Sequence, residues 1–560
     1  MPRTRFATGL LLTTLLGACA PAGDGGGGPA DGYADLVLTG GHVRSADGTA
    51  ATALAVRGRR ILAVGNDDAI GALAGPDTRR IDLRGGWLGP GFNDSHAHLY
   101  GLGTSLSQVR LMGTGSVAEI LELVAAAHAE LPPGAWLEGR GWDQNDWADP
   151  AWPTAAELDV VTGDRPALLR RVDGHAAWAN SAALAAAGLT AATPDPEGGE
   201  ILRDGDGTPT GLLIDNAVDL VREVIPDPPA DEVERRVRLA VAHCVARGVT
   251  GVHDAGASWE RVQLYRRLAE AGELGLRVYA LYDDDEETLG PAFAHGPLFS
   301  SDSLLTARAV KLYSDGALGS RGALLLDDYR DQPGHRGLPV TPPDHMRDVM
   351  RRAAAAGLQV GTHAIGDGAN RLVLDLYEEV LGASGLRPVR WRVEHAQIVH
   401  PDDLPRFAAL GVIPAMQPTH CTSDMDWAAD RLGEDRLAGA YAWRTLVASG
   451  AHVCFGTDFP VERVEPLEGL YAARTRMHPD GTPIGGWRPE ETLTGAQALD
   501  LYTAGSAYAA FREDDLGRLA PGFLADLVAL DGDPVACEPA ALLTMRVLLT
   551  VVDGQVAWEP

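Results

Sequence analysis

The feature that most constrains this chain is an alternation. Short, near-continuous apolar runs recur along its middle: GWLGPGFNDSHAH, VTGVHDAG, LRVYALYD, ARAVKLYSDG, LQVGTHAIG, RWRVEHAQ, VIPAMQP and HVCFGTDFP. Between most of them lie longer segments of helical periodicity, such as DEVERRVRLAVAHCVARG and ASWERVQLYRRLAEAGE. A strand that is apolar on both faces needs cover on both, and intervening helices supply it, which is the pattern of a parallel sheet. Eight such strands predict an α/β fold, a closed (β/α)8 barrel of the TIM type.

The two ends of the chain have a different texture. Residues 33–88 read as short strands broken by Gly-Gly, Asp-Gly and Arg-Gly-Arg, and residues 513–560 read the same way. Neither piece has enough strands to bury a core alone. The economical prediction is one small β-sandwich built from both ends, beside a barrel over residues 89–512. The gap between the first barrel strand and VTGVHDAG is too long for one helix. An insertion over about residues 105–215, rich in Trp, Pro and Gly, is therefore expected after the first strand.

Polar residues fall at the C-terminal ends of the predicted strands, where barrel enzymes place their chemistry. His96 and His98 end the first, Lys311 lies in the fourth, His363 ends the fifth, His395 the sixth and Asp458 the eighth. Alternate strand residues point to one side, so the H-x-H pair aims two imidazoles at one place. Nitrogen and carboxylate donors on a rigid rim suit a divalent metal, zinc first, as one ion or two. A charged lysine among cations is costly. Its neutral amine can add carbon dioxide to give a carbamate that bridges two metals; alternatively Lys311 stays protonated and binds substrate beside a single metal.

The segments PGFNDSHAHL, VKLYSDGALGSRGA, GTHAIGDGAN, RVEHAQ and FGTDFPV resemble the amidohydrolase superfamily. The branch they are most similar to is amidohydrolase family 3, which includes N-substituted formamide deformylases. The resemblance implies a metal-dependent hydrolase with His96, His98, Lys311, His363 and His395 as ligands, and Asp458 as both a ligand and the acid–base residue. It places Asp173 and His175 of RRVDGHAAWANSAAL, Asp315 and Arg321 of SDGALGSRGA, and His420 and Asp424 of QPTHCTSD toward the substrate. Glu394 and Asp367 become candidates for orienting ligand histidines. Trp142, Trp147 and Trp152 fit either an apolar lid or buried packing, and His335 and His400 read as ordinary loop residues. The activity implied is hydrolysis of a non-peptide C–N bond, in an amide, formamide or cyclic amide, by metal-activated water. An esterase or lactonase on the same fold, or a surface-tethered metal-binding protein without turnover, are the alternatives.

At the N-terminus, Arg3 and Arg5 precede an apolar run that ends Leu16-Gly17-Ala18-Cys19, which resembles a bacterial lipobox. Residues 1–18 then read as a lipoprotein signal peptide, Cys19 as the lipidated residue and 19–32 as a Gly-rich tether. Ala20 rather than Asp after the cysteine points to outer-membrane sorting. The expected location is the periplasmic side of the cell envelope, with membrane contact only through that anchor. A net charge of −30, from 47 basic and 77 acidic residues, argues against nucleic acid as a partner. A small-molecule substrate and a homodimer partner remain. Cys244, Cys421, Cys454 and Cys537 form no CxxC and read as free thiols.

Overall fold

A computed structural model describes residues 32–144, 147–148, 150–171, 176–196, 198–384 and 390–560. The signal segment with Cys19, and the predicted substrate residues Asp173 and His175, lie outside the described residues.

Eight parallel strands form the barrel wall in sequential order: β1 (Phe92–Ala97), β2 (Val249–Ala257), β3 (Arg277–Tyr282), β4 (Leu305–Tyr313), β5 (Gln359–Ala364), β6 (Arg392–His395), β7 (Ile413–Met416) and β8 (Cys454–Phe455). Their residues are buried nearly throughout, as strands covered on both faces must be. The helix Ala230–Val245, leading into β2, illustrates the cover. It buries Val237, Ala240, Val241, Cys244 and Val245, a stripe at helical spacing, and places Asp231 and Glu232 in its first turn, where they complement the helix dipole.

The seam between β8 and β1 is closed by the residues just beyond β8. Asp458 N–H donates to the His96 carbonyl at 2.8 Å, and His98 N–H to the Phe459 carbonyl at 2.9 Å. The Asp94 carboxylate accepts the N–H of Thr457 at 3.0 Å and its hydroxyl at 2.6 Å. Gly456 permits this approach, because a Cβ there would stand 2.5 Å from both Asp94 Oδ1 and the His96 nitrogen.

The sandwich draws on both chain ends. One sheet orders Arg60–Gly65, Ala53–Arg57, Ala34–Thr39 and Ala74–Asp82; the other orders Gln555–Trp558, Val547–Val552, Leu527–Leu530, Trp87–Pro90, His42–Arg44 and Ala50–Ala51. Leu36, Leu38 and Leu54 share one core with Leu527, Leu549 and Val551. The run expected as a single first barrel strand is in fact two. Trp87–Pro90 pairs antiparallel with Leu527–Leu530 in the sandwich, and the barrel begins only after Gly91. Both halves are apolar, so hydrophobicity alone does not mark the break. At the junction, Arg277 of β3 reaches out to Asp526 (2.8 Å) and Asp553 (3.1 Å).

The insertion after β1 folds around its own six-stranded mixed sheet, ordered Gly199–Arg203, Pro209–Asp215, Ala176–Ala179, Ala167–Arg171, Leu137–Trp142 and Val109–Arg110. Trp142 and Trp147 belong to its core. Trp142 Nε1–H donates to the Leu169 carbonyl at 2.8 Å and Trp147 Nε1–H to that of Thr114 at 3.1 Å. Trp152 packs edge-on against Trp142, with centroids 6.1 Å apart. Trp142 and Trp147 thus pack the insertion, whereas Trp152 is 41% exposed at its edge. No helix among the described residues is long and apolar enough to cross a membrane. Cys244, Cys421, Cys454 and Cys537 are free.

Candidate metal centre

The six predicted ligand residues converge at the C-terminal mouth of the barrel. The His96 ring lies 4.7 Å from that of His395 and 5.6 Å from that of His98, centroid to centroid, and His363 lies 4.5 Å from His395. Lys311 Nζ is 3.1 Å from His96 Nε2. Asp458 Oδ1 is 3.2 Å from His98 Nε2 and 3.7 Å from His96 Nε2. Donor atoms of His96, His395 and Asp458 all lie within 4.8 Å of one another.

Local backbone geometry aims these groups. His395 has φ +73° and Asp458 φ +62°. Both sit in the left-handed region that non-glycine residues rarely adopt, and such strain gathers where a side chain must be held in a particular direction. Each strand end turns sharply there and swings its donor into the mouth.

Hydrogen bonds set which ring nitrogen faces the centre. His96 Nδ1 is held by the Glu394 carboxylate, and His395 Nδ1 lies 2.8 Å from Gln417 Oε1. An acceptor at Nδ1 requires the proton there, which leaves the Nε2 lone pair free. His363 Nε2 and Asp458 Oδ1 are buried with no hydrogen-bond partner. Buried polar atoms are almost always paired, so such orphans need an explanation. A metal ion supplies one, and the donor set fits it.

Burial pushes His96 and His395 well below the usual imidazole range and takes His363 down to about 3, with Lys311 adding to the effect at His363. Burial also brings Lys311 down to about 8. Burial alone would raise Asp458, but His98 beside it and the rings of His96, His395 and His420 hold it well below the usual carboxylate range. Neutral imidazoles and an ionised carboxylate are the ligating forms.

The remaining predicted residues divide. His420, on the helix Pro418–Asp424, enters the site: its ring stacks on His395 at 5.8 Å, its Nε2 is 3.6 Å from Asp458 Oδ2, and both its ring nitrogens are buried without hydrogen bonds. Asp424 accepts from the Tyr441 hydroxyl and from Gln397 Nε2. Asp315 lies 3.6 Å from His363 Nε2, yet its carboxylate is taken by the N–H groups of Leu324, Ile365 and Gly366 at 2.8–3.0 Å. It ties the loop after β4 to the loop after β5, and burial raises it to about 7. Arg321 is engaged by Asp331 at 2.7 Å, toward solvent. Asp367 accepts the Leu326 N–H at 2.9 Å instead of orienting a histidine, because it opens the helix Asp367–Ser384 and its carboxylate fastens the adjoining loop. Glu394, by contrast, does contact one of the predicted ligand histidines, at His96 Nδ1.

Three contributors escaped the sequence reading. Gln417 follows β7 and orients His395; Arg392 and His253 lie beneath the centre, inside the barrel. Arg392 stands two residues before Glu394 on β6, hence on its side of the strand, which is the one signal that pointed to it.

Comparison with known proteins gives a consistent neighbourhood. The profile of the amidohydrolase family matches residues 79–557. YtcJ of Bacillus subtilis (strain 168) is 36% identical over 499 residues, 86% of this chain and 91% of that protein. N-substituted formamide deformylase of Arthrobacter pascens is 31% identical over 543 residues, 94% of this chain and 98% of the enzyme. The crystal structure of an uncharacterized metal-dependent hydrolase from Pyrococcus furiosus superposes with a TM-score of 0.75 at 30% identity, covering 89% of this chain and 99% of that one.

Proposed function

The chain belongs to the amidohydrolase family, and from that footing we propose that it hydrolyses a C–N bond of a small amide, formamide or cyclic amide at a divalent metal centre. The observation that carries the reading is the set of inward-facing donors at one barrel mouth, with His363 Nε2 and Asp458 Oδ1 buried and without a hydrogen-bond partner. His96, His98, His363, His395 and Asp458 would hold the metal, zinc by the softness of the donor set. The bound ion would supply Lewis acidity to the scissile carbonyl and make water a stronger nucleophile at neutral pH.

The chain's own groups do the rest. Asp458, ionised at neutral pH, accepts a proton from the attacking water at its carboxylate and returns one to the leaving nitrogen as the tetrahedral adduct collapses. His420 can donate from an unpaired ring nitrogen to the oxyanion that develops. Lys311, nearly fully buried and brought down to about 8, has a share of neutral amine that can attack carbon dioxide and release a proton, giving a carbamate whose oxygens would help to hold a second ion. The lipobox-like segment ending at Cys19 supports the further proposal that the protein is exported and lipid-anchored on the periplasmic side of the outer membrane. Fatty-acid labelling that marks the wild type and spares Cys19→Ser tests the anchor; equal labelling refutes it.

The activity is tested with metal-loaded protein on a panel of N-formyl amines, cyclic amides and esters. Turnover of a C–N substrate, lost on chelation and restored by zinc, is expected. Turnover of esters alone, or bound metal with no turnover, refutes the reading. Elemental analysis decides the ion count. Nearly two metals per chain, falling by at least one in Lys311→Ala with rescue by a short carboxylic acid, is expected for the carbamate. One per chain in both refutes it.

A further inference from the structure

Beneath the candidate metal centre lies a set of buried polar groups that the reaction itself does not use. Glu394 and Arg392 on β6 have no solvent exposure, and His253 on β2 has 1%. A carboxylate this deep stays charged only beside a compensating cation. Arg392 provides it: Nη2 donates to Glu394 Oε2 at 2.8 Å, and Nε stands 2.8 Å from Oε1. The other Nη2 contact is the carbonyl of Ser95, the residue immediately before His96. Arg392 Nη1 lies 2.7 Å from His253 Nδ1. Guanidinium can only donate, so His253 Nδ1 must accept, and His253 is the neutral Nε2–H tautomer. Gly361 on β5 leaves the space that Glu394 occupies; a Cβ there would stand 2.5 Å from Glu394 Oε1.

These contacts bear on one ligand from two directions. Through Glu394 they fix the tautomer and rotation of the His96 ring; through the Ser95 carbonyl they fix the strand that carries it. We propose that His253 and Arg392 are positioning residues that act through Glu394 and Ser95 to hold His96, and so set the affinity and ligand field of the metal centre. This rests on the metal-centre reading above. His253 reaches Glu394 and Ser95 only through Arg392, and its role is to keep the Arg392 fork from rotating. A point-charge cation in place of Arg392 could neutralise Glu394 but could not grip Glu394, Ser95 and His253 at once.

The test is zinc affinity, by competition with a chromophoric chelator, together with the absorption spectrum of the cobalt-substituted protein. Partners of this kind carry about 10–100-fold in metal affinity. Arg392→Lys is therefore expected to weaken zinc by about 10–100-fold and to shift the cobalt bands. His253→Phe keeps the ring that packs on Tyr279 at 5.0 Å but removes the acceptor; it is expected to fall in the same direction, by about 10-fold. His253→Asn, which keeps an acceptor near Nδ1, is expected to stay within about threefold of wild type with an unshifted spectrum. Gly361→Ala, which crowds Glu394 from the far side, is expected to reproduce the loss. Folded Arg392→Lys and His253→Phe with wild-type affinity and spectra overturn the proposal. So does a collapse of folding in both while His253→Asn stays folded, because the groups would then brace the barrel and not the ligand. Failure of the wild type to bind zinc at all overturns the metal-centre reading instead, and is distinguishable from either.

Discussion

Replacing Asp458 by asparagine separates proton transfer from architecture. Asp458 sits at φ +62°, and Asn tolerates that conformation better than most residues, whereas Ala there would add roughly 1–2 kcal/mol of strain. The main-chain bond from Asp458 N–H to the His96 carbonyl, 2.8 Å, is untouched by the change, so the β8–β1 seam stays closed. What disappears is a carboxylate that stands 3.2 Å from His98, 3.7 Å from His96 and 3.6 Å from His420, and that is ionised at neutral pH. An amide in that place neither accepts a proton nor delivers one. General acid–base catalysis is worth about 10²–10⁴-fold, which is about 2.7–5.4 kcal/mol in the barrier. A kcat loss of that order is expected, with thermal stability nearly unchanged and most of the metal retained on the four histidines. The assay is kcat per mole of folded, metal-loaded protein on the best C–N substrate found, alongside a melting curve. A kcat within about threefold of wild type would refute the proton-shuttle role and leave Asp458 as a brace for the loop that follows it.

Three further outcomes are expected. In metal-free protein, His96, His253, His363 and His395 are all held below 6.5, so the unfolded chain takes up protons first as pH falls. Their contribution to stability is full above pH 6.5 and is lost as pH drops toward about 3, by up to about 1.4 kcal/mol per pH unit for each such histidine, while Asp94 and Asp315, raised by burial to about 7, act in the opposite direction. Urea unfolding in chelator at pH 7 and pH 5, wild type against His363→Gln, isolates the histidine effect: the variant should lose less on acidification, and equal losses contradict it. Arg277→Met leaves Asp526 without its cation at the barrel–sandwich junction, where the side chains of Arg277 and Asp526 are 7% and 8% exposed, while Asp553 keeps Arg59 at 2.6 Å. Breaking a buried pair costs about 3–5 kcal/mol; denaturant unfolding should report that, with zinc affinity of the folded protein unaltered. Gly456→Ala places a methyl 2.5 Å from main-chain nitrogen and a carboxylate, neither able to yield freely. It should destabilise by about 1–3 kcal/mol or more and weaken zinc binding; a stable variant with full metal uptake would show that the seam is more pliant than its geometry implies.

The sequence alone determined the parts that repeat or that carry unusual side chains. Apolar runs alternating with helical periods specified the parallel barrel, because a doubly covered strand has no room for polar alternation. His96, His363, His395 and Asp458 were legible because each interrupts an apolar run at the end where barrel loops gather, and Lys311 because it is a charged residue inside such a run. The tertiary structure decided what depends on approach between distant segments. It split Trp87–Pro90 from Phe92–Ala97 into two sheets, although both pieces are apolar. It engaged Arg321 with Asp331, held Asp315 in loop bonding and buried Trp142 and Trp147 inside the insertion. It also brought His253 and Arg392, 139 residues apart, to 2.7 Å under the site. The physical reason is one of range. Periodicity and strand-end position are local properties written in consecutive residues, whereas the partner of a charged group is chosen by whichever segments the closed barrel packs against it.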